Sequence, residues 1–329
     1  MSASPLRQGL SLAARIVVTV LLLWYVFGKV DFTALAARAR DFSFVILLLT
    51  VPLLLMQVVL AALRWGTVIR AIYAPAGFNT VLPLMYVGIF FNQVLPSAIG
   101  GDAVRVWHIY RQGLSLRAAF NSVLLDRLVA MAALLAVMLS TLFWFYRLVD
   151  DGRVRLAVNA AIGLLAAGLV LLYLFKSLPE AFDRWRPTRA LCNLSRDLYA
   201  LFVSPGAMRR ALSLSVLLHV LTAFVVYVIA RSLSLPLGVL DCLALVPPVI
   251  LLTVLPISLA GWGVRELGMI AALGYAGIAA TDALLISITY GVLVLLISLP
   301  GGWFWLVKKY HQPRAPLSFS EAVGKSGGV

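Results

Sequence analysis

Among the stretches of this sequence that run for nineteen residues or more without a single Asp, Glu, Lys or Arg are 43–63, 128–146, 156–175, 211–230 and 283–307. Each approaches or exceeds the roughly 20 residues that a helix needs to cross a bilayer. A sixth run, 16–28, reaches that length only by including Arg15 and the residues before it. Arg7 and Arg15 ahead of it, and Ala34-Leu35-Ala36 behind it, imitate a cleavable signal peptide. The internal repeat described below needs this run as a span and argues for its retention.

Composition points the same way. Of 329 residues, 62% are hydrophobic and 12% charged, whereas a soluble domain is about half apolar and about a quarter charged. Such a chain needs lipid as solvent, and its length allows roughly six to ten spans with their loops. The net charge of +14 comes from 27 basic and 13 acidic residues. The basic residues sit mostly in short loops between apolar runs, as in a protein that orients itself in a membrane. Without a nucleic-acid-binding motif or a long polar domain, no nucleic-acid partner is expected. Two cysteines, Cys192 and Cys242, three histidines, and neither CxxC nor HExxH speak against a bound zinc or iron. No cofactor is expected.

Two apolar segments differ from the rest. Both 80–101 and 242–263 carry prolines and end in small, glycine-rich stretches. Proline removes a helix donor and clashes with the preceding turn, and glycine accepts unusual backbone angles. These segments are expected to be discontinuous helices or re-entrant hairpins, which survive at membrane depth only under protein or beside a wet cavity.

The two segments align with an offset of 160. Leu95 to Arg105 overlies Leu255 to Arg265, and Leu, Pro, Gly, Val and Arg coincide at five of eleven positions in the pattern LPxxxxGxxVR. The same offset carries 43–63 close to 211–230 and 120–146 onto 283–307, and it brings the first run near 156–175. Each half then holds three spans and one hairpin. Three is odd, so the second half must be inverted, as in many secondary transporters.

The basic residues test that topology independently. With the N-terminus in the cytoplasm, 17 basic residues fall inside and seven outside, and Arg105, Arg127 and Arg265 stay at membrane depth. The expected fold is therefore an all-α integral membrane bundle of two inverted repeats. Repeat one covers 1–146, with a hairpin at about 80–117. Repeat two covers 147–310, with a hairpin at about 242–279 and a basic cytoplasmic loop at 176–210. Residues 311–329 form a flexible cytoplasmic tail. The hairpins enter from opposite sides, so their tips can meet near the midplane, and the cysteines lie on opposite faces.

Arg105 and Arg265 are the leading candidates for chemistry. Each follows a glycine break, in the first turn of a returning helix, where free N–H groups and the helix dipole favour an anion. A guanidinium there adds a fork suited to phosphate. Alternatively, each pairs with its neighbour, Asp102 or Glu266, and braces the break. The two carboxylates could carry a coupling proton, but pairing with arginine moves a carboxylate away from the useful range, so a standing salt bridge is the better expectation. Asp126-Arg127 is either an interfacial pair or a cavity wall. Asn92 and Gln93 either line a polar path or satisfy freed backbone groups. His219, alone in its span, reads as an interhelical hydrogen bond. Arg64-Trp65 and Trp303-Phe304-Trp305 read as interface anchors, and the basic loop should face anionic headgroups.

Taken together, Asn92-Gln93-Val94-Leu95-Pro96-Ser97, Gly100-Gly101-Asp102-Ala103-Val104-Arg105, Asp126-Arg127, Leu255-Pro256-Ile257-Ser258 and Gly261-Trp262-Gly263-Val264-Arg265-Glu266 resemble the flippase-like family. This is the transmembrane region of lysylphosphatidylglycerol synthases and its stand-alone relatives, and the resemblance spans nearly the whole chain. It implies a lipid transporter of the bacterial inner (plasma) membrane, with both termini cytoplasmic. It also implies a polar cleft built from Asn92, Gln93, Pro96, Ser97, Gly100, Gly101, Asp102, Arg105, Asp126, Arg127, Pro256, Ser258, Gly261, Gly263, Arg265 and Glu266. The family's lipid-modifying members carry a large soluble C-terminal synthase domain. These residues end in a short Pro/Ser/Gly tail instead, so the implied cargo is a phospholipid or polyprenyl-linked lipid made elsewhere, with a separate lipid synthase as a possible partner. Two rivals remain open. A membrane-embedded transferase would need a carboxylate cluster for a metal or base, and Asp102 and Asp126 are the only nearby pair. An accessory subunit of an envelope-lipid biosynthesis complex would co-purify with a synthase.

Overall fold

A computed structural model describes residues 16–22, 24–25, 28, 32–73, 77–95, 100–177, 186–254, 258 and 260–307. Every regular element among them is helical: α1 (Phe32–Ala39), α2 (Phe44–Leu48), α3 (Thr50–Ile72), α4 (Phe78–Val94), α5 (Gly100–Arg111), α6 (Leu116–Ser140), α7 (Leu142–Leu148), a 3-10 turn (Phe175–Ser177) after α8 (Gly152–Leu174), α9 (Arg186–Val203), α10 (Pro205–Ser232), α11 (Val239–Val254), α12 (Val264–Gly274) and α13 (Ala280–Val307). Residues 16–22 are also helical. Five helices among the described residues are long and apolar enough to cross a membrane: Phe44–Ile72, Leu116–Ser140, Gly152–Ser177, Pro205–Ser232 and Ala280–Val307. The chain is a multi-pass membrane protein. The sixth expected span, 16–28, lies partly outside the described residues, and the expected tail 311–329 lies wholly outside them.

Several expected boundaries move, each for a local reason. The run 43–63 extends through Arg64 and Arg70 to Ile72, because Arg64 is paired inside the bundle. The run 128–146 is divided at Thr141, whose φ of −103° and ψ of 3° end α6. Pro83, Pro247 and Pro248 stay within continuous helices and are not themselves the breaks. The breaks lie just beyond, between α4 and α5 and between α11 and α12. Ala260, Gly261 and Gly263 there have φ of 48°, 80° and 85°, a left-handed geometry that glycine adopts at little cost.

The two broken segments keep the 160-residue spacing: α4 ends at Val94 and α11 at Val254. α3 packs along α10, α4 along α13, and each broken pair packs on itself. In lipid, close packing and satisfied polar groups hold helices together, since the tails are as apolar as Leu. Two such contacts leave no room for a side chain. A Cβ on Gly101 would overlap the Gly88 carbonyl oxygen, and one on Gly301 would overlap the Tyr86 carbonyl oxygen. α8 is peripheral and buries only Ile162, while Leu156, Leu164 and Leu171 point outward.

The expected loop 176–210 is largely the helix α9, docked on the bundle. It buries Cys192, Leu194, Ser195, Asp197, Leu198 and Leu201, a helical stripe that the surrounding arginines hide in the sequence. Asp197 fastens it. The carboxylate accepts from the Tyr73 hydroxyl at 2.5 Å and from Asn121 Nδ2 at 2.6 Å. Burial, reinforced by that bond, pushes the Tyr73 phenol above its ordinary range. The folded state thus holds a proton that the unfolded chain releases near pH 10, so this stabilisation is complete below about pH 10 and is lost above it. Tyr73→Phe should flatten the alkaline fall in thermal stability. An unchanged alkaline profile would count against the buried phenol.

Candidate functional site

Five ionised side chains from three helices meet inside the first half. Gly100 opens α5, which places Asp102 in its first turn and Arg105 one turn later. α6 presents Asp126 and Arg127 about 100° apart around its axis, and α3 contributes Arg64. Asp126 is completely buried. Its Oδ1 accepts from Arg64 Nε at 2.7 Å, and its Oδ2 accepts from Arg64 Nη2 at 3.3 Å and Arg105 Nη2 at 2.9 Å. Asp102 accepts from Arg105 Nη1 at 3.1 Å and from Arg127 Nε at 2.8 Å. Three guanidiniums thus share two carboxylates, leaving one net positive charge. The Arg105 guanidinium lies 4.1 Å from the Trp65 ring centroid, a favourable cation–π arrangement. Its stem rests on Gly88, where a Cβ would collide with it.

The charges differ in access. The Arg105 side chain is 4% exposed and that of Arg127 41%. Arg105 is thus enclosed between Asp102 and Asp126, and Arg127 is the more accessible of the two guanidiniums. The buried Arg105 Nε has no partner.

A smaller cluster occupies the second half. Glu266, fully buried, accepts from Arg265 Nη2 at 2.7 Å, from Arg265 Nε at 3.1 Å and from the Ser287 hydroxyl at 3.2 Å. Its other oxygen accepts from the Gly263 N–H, tying the carboxylate to the start of α12. The Arg265 guanidinium sits 4.6 Å from Trp262 and 5.8 Å from Tyr290, against Gly291, where a Cβ would overlap it.

α13 touches both regions at different heights. Gly291 lies against Arg265, and Gly301 lies against Tyr86 and Phe90 of α4, at the level of Gly88 but on the opposite face of that helix. Ten residues at about 1.5 Å each put these levels about 15 Å apart, half of a roughly 30 Å hydrocarbon core.

The other candidates divide clearly. Asn92 accepts from the Gly101 N–H at 2.9 Å, so it satisfies the freed backbone. Gln93 and Gly100 are half-buried beside the first break. Ser258 is buried, and its hydroxyl has no partner. Gly261 and Gly263 supply the left-handed turn. Pro96, Ser97 and Pro256 lie outside the described residues. His219 bonds the Ala130 carbonyl at 3.0 Å, an interhelical contact. Among the described residues, no three or more His, Cys, Asp or Glu side chains gather as metal ligands.

Two sequence expectations are corrected. Arg64 and Trp65 are not interface anchors: they are 9% and 0% exposed and build the cluster. Their position at the end of an apolar run disguised them. The signal was Asp126, a carboxylate at membrane depth that needs more than its neighbour to neutralise it. Within the aromatic triplet only Trp303 points outward, at 66%. Phe304 packs 5.9 Å from Tyr86, and Trp305 packs 4.8 Å from Phe91.

A family model described as the lysylphosphatidylglycerol synthase TM region matches residues 12–301, a range that takes in both clusters. No curated protein matches the chain.

Proposed function

The chain belongs to the family of the lysylphosphatidylglycerol synthase transmembrane region, and from that premise we propose that it moves an anionic or modified lipid between leaflets. The cargo class is aminoacyl-, glycosyl- or polyprenyl-linked, or a plain anionic phospholipid. The observation that carries this reading is the net positive cluster with Arg127 at its accessible edge. A phosphate reaching Arg127 would replace Asp102 as its partner, gaining a charge-assisted bond where water is scarce. The second cluster, about half a bilayer away along α13, offers a further guanidinium on the same route.

Two inverted halves that rock against each other would pass the headgroup between these levels. The 160-residue spacing of the broken helices supports that arrangement. The excess of basic residues at the end carrying Arg70, Arg111, Arg117 and α9 supports cytoplasmic termini in a bacterial inner membrane.

The test reconstitutes the protein in proteoliposomes and follows three labelled lipids: phosphatidylglycerol, its lysyl ester, and a polyprenyl-phosphate sugar. The intact protein should move at least one. Arg127→Gln should insert and fold normally yet slow movement about tenfold or more, the worth of one charge-assisted bond. Movement of none of the three, or an unchanged rate in the variant, would overturn the proposal. Chemical turnover of a lipid donor would favour a transferase, and movement only beside a separate synthase would favour an accessory subunit.

A further inference from the structure

Where α9 lies across the start of α6, a groove of about 610 Å³ opens at the basic end of the bundle. Its floor is apolar, built chiefly from Phe120, Leu124, Leu191 and Leu194, and Arg117 and Arg189 belong to its lining. Phe120 is 56% exposed and Leu191 39%. The Arg117 side chain is 59% exposed, with a 3.9 Å approach to Asp197 among the described residues, and Arg189 is exposed as well. This groove is separate from both buried clusters, and none of their residues lines it.

We propose that the groove docks one anionic glycerophospholipid, its phosphate between Arg117 and Arg189 and an acyl chain along Phe120, Leu124 and Leu191. Three observations select this occupant. The rim is cationic and the floor apolar, which matches an amphiphile with a negative head. α9 is an amphipathic helix at the end of the spans, with Tyr199 and Phe202 exposed beside Arg196, the pattern of a helix at headgroup level. The C-terminal segment 308–329 carries four basic residues and one acidic, the wrong sign to cover two arginines. The lipid would hold α9 against α6 from outside, as Asp197 does from within. The assignment of this end to the cytoplasmic leaflet rests on the orientation proposed above.

The test is native mass spectrometry of the full chain in detergent, titrated with an equimolar mixture of phosphatidylglycerol and phosphatidylcholine. The intact protein should retain one phosphatidylglycerol preferentially. R117Q/R189Q should weaken that retention about tenfold or more, by the loss of two charge-assisted contacts. Ala190→Trp, which fills the groove from its lining without changing charge, should weaken it too. Arg127→Gln should retain the lipid, which separates failure of this site from failure of the translocation proposal. Equal retention of both lipids, or undiminished retention in R117Q/R189Q with its fold intact by thermal unfolding, would overturn the docking site.

Discussion

Asp126→Asn should cost about 3–5 kcal/mol of stability, the usual penalty for breaking a buried ion pair from one side. The amide keeps the shape but not the charge. Arg64 and Arg105 both lose the carboxylate they share, and the buried net charge rises from one to two. Water cannot reach the centre to screen it, because the Asp126 side chain is only 1% exposed. The measurement is thermal unfolding of the detergent-solubilised protein, together with its yield in the membrane. Adding Arg64→Met should recover part of the loss by removing one stranded cation. An unfolding curve for Asp126→Asn that overlays the parent would show that the network contributes little.

Gly101→Ala should cost about 2–3 kcal/mol, at the upper end for overpacking. The added methyl meets a backbone carbonyl, that of Gly88, and not the end of a side chain that could turn away. α4 and α5 must separate, and the Asn92 bond to the Gly101 N–H is pulled apart with them. By contrast, Gly152→Ala places its methyl in open space and should be close to neutral. Comparing the two unfolding midpoints isolates the contact from the general effect of replacing glycine. Equal midpoints would mean that the two helices are free to move apart.

Much of this was legible in the sequence, and the reasons differ by element. Long uncharged runs identify spans because lipid punishes an unpaired charge. The breaks showed themselves through glycine and proline, and the candidate arginines through their place just after those breaks. Legibility failed where pairing reversed the meaning of a residue. Arg64 looked like the end of a span because its partner lies 62 positions away. The α9 stripe is hidden because Arg186, Arg189 and Arg196 precede and interrupt it, giving a local composition that reads as loop. The assignment of Arg127 over Arg105 as the accessible cation could not be read at all. Each has an aspartate close before it and an apolar residue after it, and packing against Gly88 and Trp65 is what encloses Arg105.

α13 runs unbroken, with Pro300 inside it, past Gly291 and Gly301. One continuous rod therefore touches Arg265 directly at Gly291 and grips the back of α4, whose other face seats Arg105, at Gly301. Sliding it along its axis would move both contacts together. A shift that drew Gly291 away from Arg265 would drag Gly301 along the backbone of α4 in the same stroke.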